Sequence, residues 1–135
     1  MPGGYSQRSL VEKLGIKPGM RVAILNAPRG YRATLGKLPA GVTVAVSPRE
    51  PLPFIQFFAV SRSVLESRLP GLLRALEPAG ALWVSWPKKA SGMPTDLTEG
   101  VVRAIVLPTG LVDVKVAAVD DVWSGLKLVR RLKNR

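Results

Sequence analysis

The sequence predicts a single three-layer α/β domain, with helices on both faces of a mostly parallel sheet of about six strands that ends in an antiparallel pair. Three observations carry that reading. Apolar runs alternate with capped, helix-patterned segments in the order α-β-α-β-β-α-β-α-β-β, as parallel strands joined by helical crossovers do. Several runs, Arg21 to Ala27 among them, are apolar at successive positions, the mark of a strand covered on both faces. The last two runs are joined by a short link, too short for a crossover, so they pair antiparallel. A chain of 135 residues makes one domain and not two.

Residues 1–8 read as a loose end. Ser9-Leu-Val-Glu12 has capping-box spacing and Gly15 is a helix stop, which predicts a helix over Leu10 to Leu14. After the Lys17-Pro-Gly-Met20 turn, the first strand runs to Ala27 and stops at Pro28. Arg29 to Gly36 holds a tight turn and a short helix. Val42 to Val46 is a second strand, and three prolines make Ser47 to Pro53 an extended connection. Phe54 to Val60 is a third strand, with Phe54, Phe57 and Phe58 suited to a buried strand or a dimer surface. Ser63-Val-Leu-Glu66 opens a helix that Pro70-Gly71 is expected to split in two.

Glu77 to Gly80 reads as a turn before a fourth strand, Ala81 to Trp86, whose Trp83 and Trp86 point to opposite faces. Asp96, with Thr95 as the alternative, caps a helix running to about Leu107. Leu111 to Val119 and Leu126 to Leu132 alternate as the closing strands, with Asp120-Asp121 marking a turn and Trp123-Ser-Gly125 forming a further turn with an anchoring indole between them. The cations from Lys127 to Arg135 fit an edge strand guarded by charge better than a nucleic-acid contact.

Composition excludes whole classes of chemistry. With no cysteine and no histidine, there are no disulfides, thiolate nucleophiles, serine–histidine triads or common zinc sites. Acid–base work would fall to five Glu, four Asp, eight Lys or two Tyr. The formal charge of +11 favours nucleic acid, phosphorylated metabolites or an acidic surface as partner, although solubility alone explains the same excess. No apolar run is long enough to span a membrane and residues 1–14 lack a secretory apolar core. The expected location is the cytoplasm, and the expected state a monomer or homodimer.

Two resemblances add to this. Lys17-Pro-Gly-Met-Arg-Val-Ala-Ile-Leu25 resembles the lead-in and first strand of Rossmann-like S-adenosylmethionine-dependent methyltransferases. Leu76-Glu-Pro-Ala-Gly-Ala-Leu-Trp-Val84 resembles their L-x-P-G-G-x-L segment, and the closing hairpin resembles their antiparallel last strand. More closely, Trp86-Pro-Lys-Lys-Ala-Ser-Gly92, with Thr95-Asp96-Leu97, Leu111 to Lys115 and Val122 to Leu126, resembles an uncharacterised bacterial family of unknown function. The methyltransferase resemblance implies a cofactor loop after the first strand, rich in glycine for close backbone approach. Here Asn26-Ala-Pro-Arg-Gly30 leaves only Asn26 and Gly30 as its remnant. The family's acid at the end of the second strand, which holds a ribose, has only Glu50 near its place. Ser47 to Pro53 stands where a helix, a third strand and another helix would follow.

Ligands in open α/β sheets collect beyond the carboxyl ends of the strands. Those ends carry Arg29, Arg32, Arg49, Arg62, Lys88 and Lys89, with Ser91 close by. The preferred expectation is a non-catalytic binding or regulatory module, with Lys88, Lys89, Ser91, Arg29, Arg32 and Arg49 receiving an anionic, phosphate-bearing ligand or a protein partner. No cofactor, metal or catalytic residue is expected on that reading. A methyltransferase with a degenerate S-adenosylmethionine loop and a basic nucleic-acid-associated protein are the alternatives.

Overall fold

The computed structural model describes residues 8–47 and 49–135. Its elements follow the expected order: α1 (Leu10–Leu14), β1 (Arg21–Leu25), α2 (Tyr31–Leu35), β2 (Thr43–Ala45), β3 (Leu52–Phe58), α3 (Arg62–Arg74), β4 (Leu76–Pro87), α4 (Glu99–Val106), β5 (Leu111–Ala118) and β6 (Trp123–Arg130). Short 3-10 turns follow β4, α4 and β6. The expected loose end, residues 1–8, falls almost wholly outside the described residues.

The six strands form one sheet in the order β2-β1-β3-β4-β6-β5. β2, β1, β3 and β4 are mutually parallel, and β6 runs antiparallel between β4 and β5. The last strand is therefore interior. The expectation of a charge-guarded edge strand over Lys127 to Leu132 is overturned, because β4 takes the free side of β6 before β5 closes the other. Trp123, Ser124 and Gly125 belong to β6 and form no turn. Asp120 makes the turn instead, its carboxylate accepting from the backbone amides of Val122 and Trp123 at 2.8 Å each.

Parity along the central strands divides the core into two layers. Ala23, Leu25, Ile55, Phe57, Val84 and Trp86 pack beneath α3 and α4. Val22, Ile24, Phe54, Phe58, Trp83 and Trp123 pack beneath α1 and α2. Trp83 and Trp86 thus do face opposite ways, and all three phenylalanines are buried within the sheet. The Trp83 indole donates to the Leu14 carbonyl at 2.9 Å, fastening the end of α1 to the sheet. Lys115 adds a second tie, donating to the Lys13 carbonyl at 3.0 Å.

Three local expectations yield to tertiary contacts. α3 is one helix running through Pro70. Leu65, Leu69 and Leu72 stay buried on both sides of the proline, while Glu66, whose carbonyl loses its amide partner, is exposed to solvent. Its cap is Ser61, which accepts from the Val64 amide at 3.2 Å, and Ser63 lies inside the helix. Thr98 caps α4. The Asp96 carboxylate instead accepts from the Arg62 amide at 2.8 Å, and the Thr95 hydroxyl donates to the Val60 carbonyl at 2.6 Å. Both residues tie the loop before α4 to the start of α3.

Residues 77–80 are a bulge within β4, not a turn ahead of it. Leu52 pairs with Leu76 but Phe54 already pairs with Ala81, so four residues of β4 are accommodated opposite Pro53. The carbonyls this frees are taken by Arg130. Its guanidinium donates to Leu76 at 3.0 Å, to Glu77 at 2.9 Å and to Leu73 at 2.5 Å. Gly80 sits so tightly in the bulge that a Cβ would lie 2.9 Å from the Leu76 side chain and 3.1 Å from the Glu77 and Leu52 carbonyl oxygens. At helical Gly71 a Cβ would make only an ordinary 3.7 Å contact with the Arg74 guanidinium. Gly80→Ala is expected to cost about 1–3 kcal/mol through overpacking, and Gly71→Ala to gain about 0.5–1 kcal/mol from helix propensity. Urea unfolding of the two variants checks both signs.

Candidate functional site at the carboxyl end of the sheet

The direction of chain crossing reverses between β1 and β3, with β2 on one side and β3 on the other. In open α/β sheets this point is where a ligand crevice forms. Asn26 ends β1 there in a left-handed conformation, φ 59°, the one non-glycine residue with positive φ among the described residues. Its side-chain amide donates to the Phe58 carbonyl at 2.7 Å, stitching the ends of β1 and β3 together. That bond, made by a short side chain that tolerates this backbone shape, lies where glycines would leave open backbone.

Ala27 to Gly30 then turn into α2, with Gly30 at φ 83° as its N-terminal flank. α2 directs Tyr31 inward. The phenol donates to the Gln56 side-chain carbonyl at 2.7 Å, and the Gln56 amide donates to the Ser85 hydroxyl at 3.2 Å. All three residues are buried, so a polar chain crosses from α2 over β3 to β4 inside an otherwise apolar layer. Tyr31 packs edge-on against Phe58, and Phe58 against Trp123, with centroids 4.7 and 5.1 Å apart. This gives the crevice a rigid floor.

Above that floor lies a cleft of about 230 Å³ lined by Ile24, Ala27, Pro28, Gly30, Tyr31, Arg32, Val44 and Val46. Its walls are apolar apart from the phenol and Arg32. Val46 is 82% exposed at its rim. Among the described residues no carboxylate lines the cleft. Glu50 forms an ion pair with Arg21, at the amino end of β1, and is not available at the end of β2.

The expected cationic residues therefore separate. Arg32 lines the cleft, Gly30 and Asn26 flank it, and Arg29 is exposed in the same loop. Lys88 and Lys89 lie past the end of β4, Lys89 exposed and Lys88 half-buried, with the Lys88 amide bonded to the Val122 carbonyl at 2.7 Å. The Ser91 hydroxyl donates to the Lys88 carbonyl at 2.7 Å and accepts from the Met93 amide at 3.1 Å, which commits it to its own turn. Arg62 faces a groove of about 400 Å³ between α3 and α4, with Glu66, Leu69, Leu73 and Ile105. Placing Arg49 at the carboxyl end is corrected. The short link after β2 carries it back beside Arg21, Glu50 and Arg74 near the amino end. The Tyr31–Gln56–Ser85 chain was missed by sequence reasoning, since one glutamine and one serine inside apolar runs carry no spacing signal.

No protein-family model matches the chain, and no curated protein does. Solved structures do. A SAM-dependent methyltransferase from Aquifex aeolicus superposes at TM-score 0.66, with 16% identity over 88% of this chain and 86% of the other. The DhpI–SAH complex superposes at 0.64, with 12% identity over 92% and 83%. The N-methyltransferase NodS from Bradyrhizobium japonicum superposes at 0.60, with 13% identity over 90% and 92%. At these identities the likeness establishes the fold, a Rossmann-like methyltransferase architecture. The resemblance of residues 86–92 to an uncharacterised family has no family model behind it.

Burial pushes the Tyr31 phenol up to about 12 from an ordinary 10.0, with the Gln56 bond opposing the shift. The native state keeps a proton that the unfolded chain releases, so this contribution is full below pH 10 and lost as pH rises towards 12. Tyr31→Phe should remove that alkaline limb from the pH–stability curve. At neutral pH it should cost about 1–3 kcal/mol by leaving the Gln56 carbonyl unpaired.

Proposed function

We propose that the chain is a domain of the S-adenosylmethionine-dependent methyltransferase class that takes an adenosyl ligand in the cleft between the ends of β1 and β2. The observation that carries this reading is the cleft itself, open at the carboxyl ends of β1 and β2, next to the switch point of a sheet whose order and antiparallel insertion are those of a methyltransferase fold.

The residues fit the cofactor only in part. Ile24, Val44 and Pro28 offer apolar walls to a base, and Arg32 suits a carboxylate. Nothing in the cleft accepts hydrogen bonds from a ribose diol as a carboxylate would, and a guanidinium disfavours a sulfonium beside it. The bound cofactor would supply an activated methyl group; this chain's own residues would supply position and charge. The fit favours the neutral thioether product over the cationic cofactor.

A second reading keeps the fold but not the chemistry, as a non-catalytic module for an anionic, phosphate-bearing ligand. It is favoured by the absence of any carboxylate from the cleft among the described residues, and by cations along the carboxyl edge of the sheet, Arg29 and Arg32 at the cleft and Lys88 and Lys89 past the end of β4.

Thermal denaturation with S-adenosylhomocysteine, S-adenosylmethionine and tripolyphosphate separates the two. The first reading expects the largest shift with S-adenosylhomocysteine, lost in Arg32→Ala. A ligand at about a hundred times its dissociation constant stabilises by about 2.7 kcal/mol. A shift with tripolyphosphate alone, abolished by Lys88→Ala/Lys89→Ala, sinks the adenosyl reading and leaves the second.

A further inference from the structure

Where a helix would ordinarily cross from β2 to β3, the described linking residues, 46–47 and 49–51, form a bare strap on the α3 side of the sheet. A helical crossover would fill the space beside α3; the strap leaves it as a run of three hollows. One, of about 300 Å³, lies among Arg21, Ser47, Arg49 and Glu50. The next, of about 220 Å³, lies between Arg49, Glu50 and Pro51 on the strap and Gly71, Arg74 and Ala75 on α3. The third, also of about 220 Å³, is bounded by Val46, Ser47, Arg68, Gly71 and Ala75.

Cations dominate this trough. The α3 face towards the strap repeats at helical spacing: Arg68, Gly71, Leu72 and Ala75. Gly71 and Ala75 keep the floor low. The Arg74 guanidinium lies close over Gly71, 3.7 Å from where a Cβ would stand. Arg68 lies over the Phe57 ring at 5.0 Å, held along the sheet and not free in solvent. Among the described residues the trough's one acid, Glu50, is taken by Arg21. Arg49, Arg68 and Arg74 make no ion pair with a described residue, so their charge faces the trough uncompensated.

Their arrangement identifies the ligand class. Arg68 and Arg74 are six positions apart on one helix, about 9 Å along its axis, with Arg49 across from Arg74. Guanidinium groups strung along a trough do not converge on one small anion. They suit a linear polyanion with evenly repeated phosphates, to each of which arginine presents its planar fork. We propose that the trough between the strap and α3 binds the phosphodiester backbone of a nucleic acid through Arg49, Arg68 and Arg74. This site is distinct from the adenosyl cleft, which lies on the other face of the sheet and meets the trough only at Val44 and Val46. The recognition reads backbone and not sequence, since among the described residues only Thr43, Ser47 and Glu50 accompany the arginines as polar side chains, and Glu50 is taken by Arg21.

The test is fluorescence anisotropy of a labelled mixed-sequence DNA duplex, titrated with the intact protein between about 50 and 200 mM salt. Arg49→Ala/Arg68→Ala/Arg74→Ala should weaken binding at every salt concentration. It should also flatten the slope of log K against log salt by about two to three, since each phosphate contact contributes about 0.9. Arg68 packs on Phe57, so the double variant Arg49→Ala/Arg74→Ala, expected to flatten the slope by about two, keeps the test open if the triple variant is unstable. Lys17→Ala/Lys37→Ala/Lys133→Ala removes the same charge from exposed sites elsewhere and should leave the slope unchanged. The proposal is overturned if the wild-type protein does not bind at low salt. It is equally overturned if the two triple variants lose affinity alike, or if tripolyphosphate at equal phosphate concentration displaces the probe as well as unlabelled duplex does.

Discussion

The length of the link between β2 and β3 constrains this domain more than any other feature. Ala45 sits beside Ala23, and Ala23 beside Ile55. The chain must therefore cross two strand spacings, about 10 Å, and drop back three residues, about another 10 Å, before β3 begins at Leu52. The two displacements are at right angles, so the ends lie about 14 Å apart. Six linking residues reach a little over 20 Å when extended, and the path over the face of β1 leaves too little for a helical crossover. Strand pairing on both sides of β1 thus forces an extended strap, and the prolines at 51 and 53 suit that shape.

Much follows from this one span. It draws Glu50 to the amino end, where Arg21 holds it, so the second strand ends without the acid that a nucleoside site of this fold would use. It leaves β2 a three-residue edge strand, and the face beside α3 only thinly covered. The same economy at the end of β1 puts Asn26 where glycines would be. Its bond to Phe58 replaces open backbone with a fixed tie, and Tyr31, Gln56 and Ser85 hold the floor beneath. The cleft is consequently small, well supported and poor in hydrogen-bond acceptors.

The order of elements was legible in the sequence because it is written in local chemistry: Ser9 with Glu12, Gly15, Pro28, Gly36 and Asp120 each act on the chain within a few residues. The errors arise where a distant partner decides. Pro70 was read as a break, yet Leu65, Leu69 and Leu72 hold the helix through it. Residues 77–80 read as a turn, yet Arg130, more than 50 positions away, takes the Leu76 and Glu77 carbonyls where they bulge within a strand. The interior place of β6 depends on a pairing with β4 that no alternation pattern specifies. Arg49 was assigned to the ligand end because it follows β2 in sequence. The length of the strap, and not the end of the strand, determines where it goes.

The distribution of acids explains how the positive charge stays available. Glu12 accepts from Ser9 in the α1 capping box. Asp96 accepts from the Arg62 amide at the start of α3 and Asp120 holds the β5–β6 turn. Glu99 and Asp113 share Arg103, and Glu50 takes Arg21. Six of the nine acids thus hold backbone amides or one of two arginines, and none lines the cleft. A carboxylate engaged this way cannot neutralise a second cation or serve as a general base without giving up its structural bond. Arg32 at one end, and Arg49, Arg68 and Arg74 along the strap, are left facing solvent-accessible hollows, with Arg29, Lys88 and Lys89 on the carboxyl edge outside them. The charge excess is therefore a property of specific surfaces as well as of the total, and it bears on ligands in two separate places.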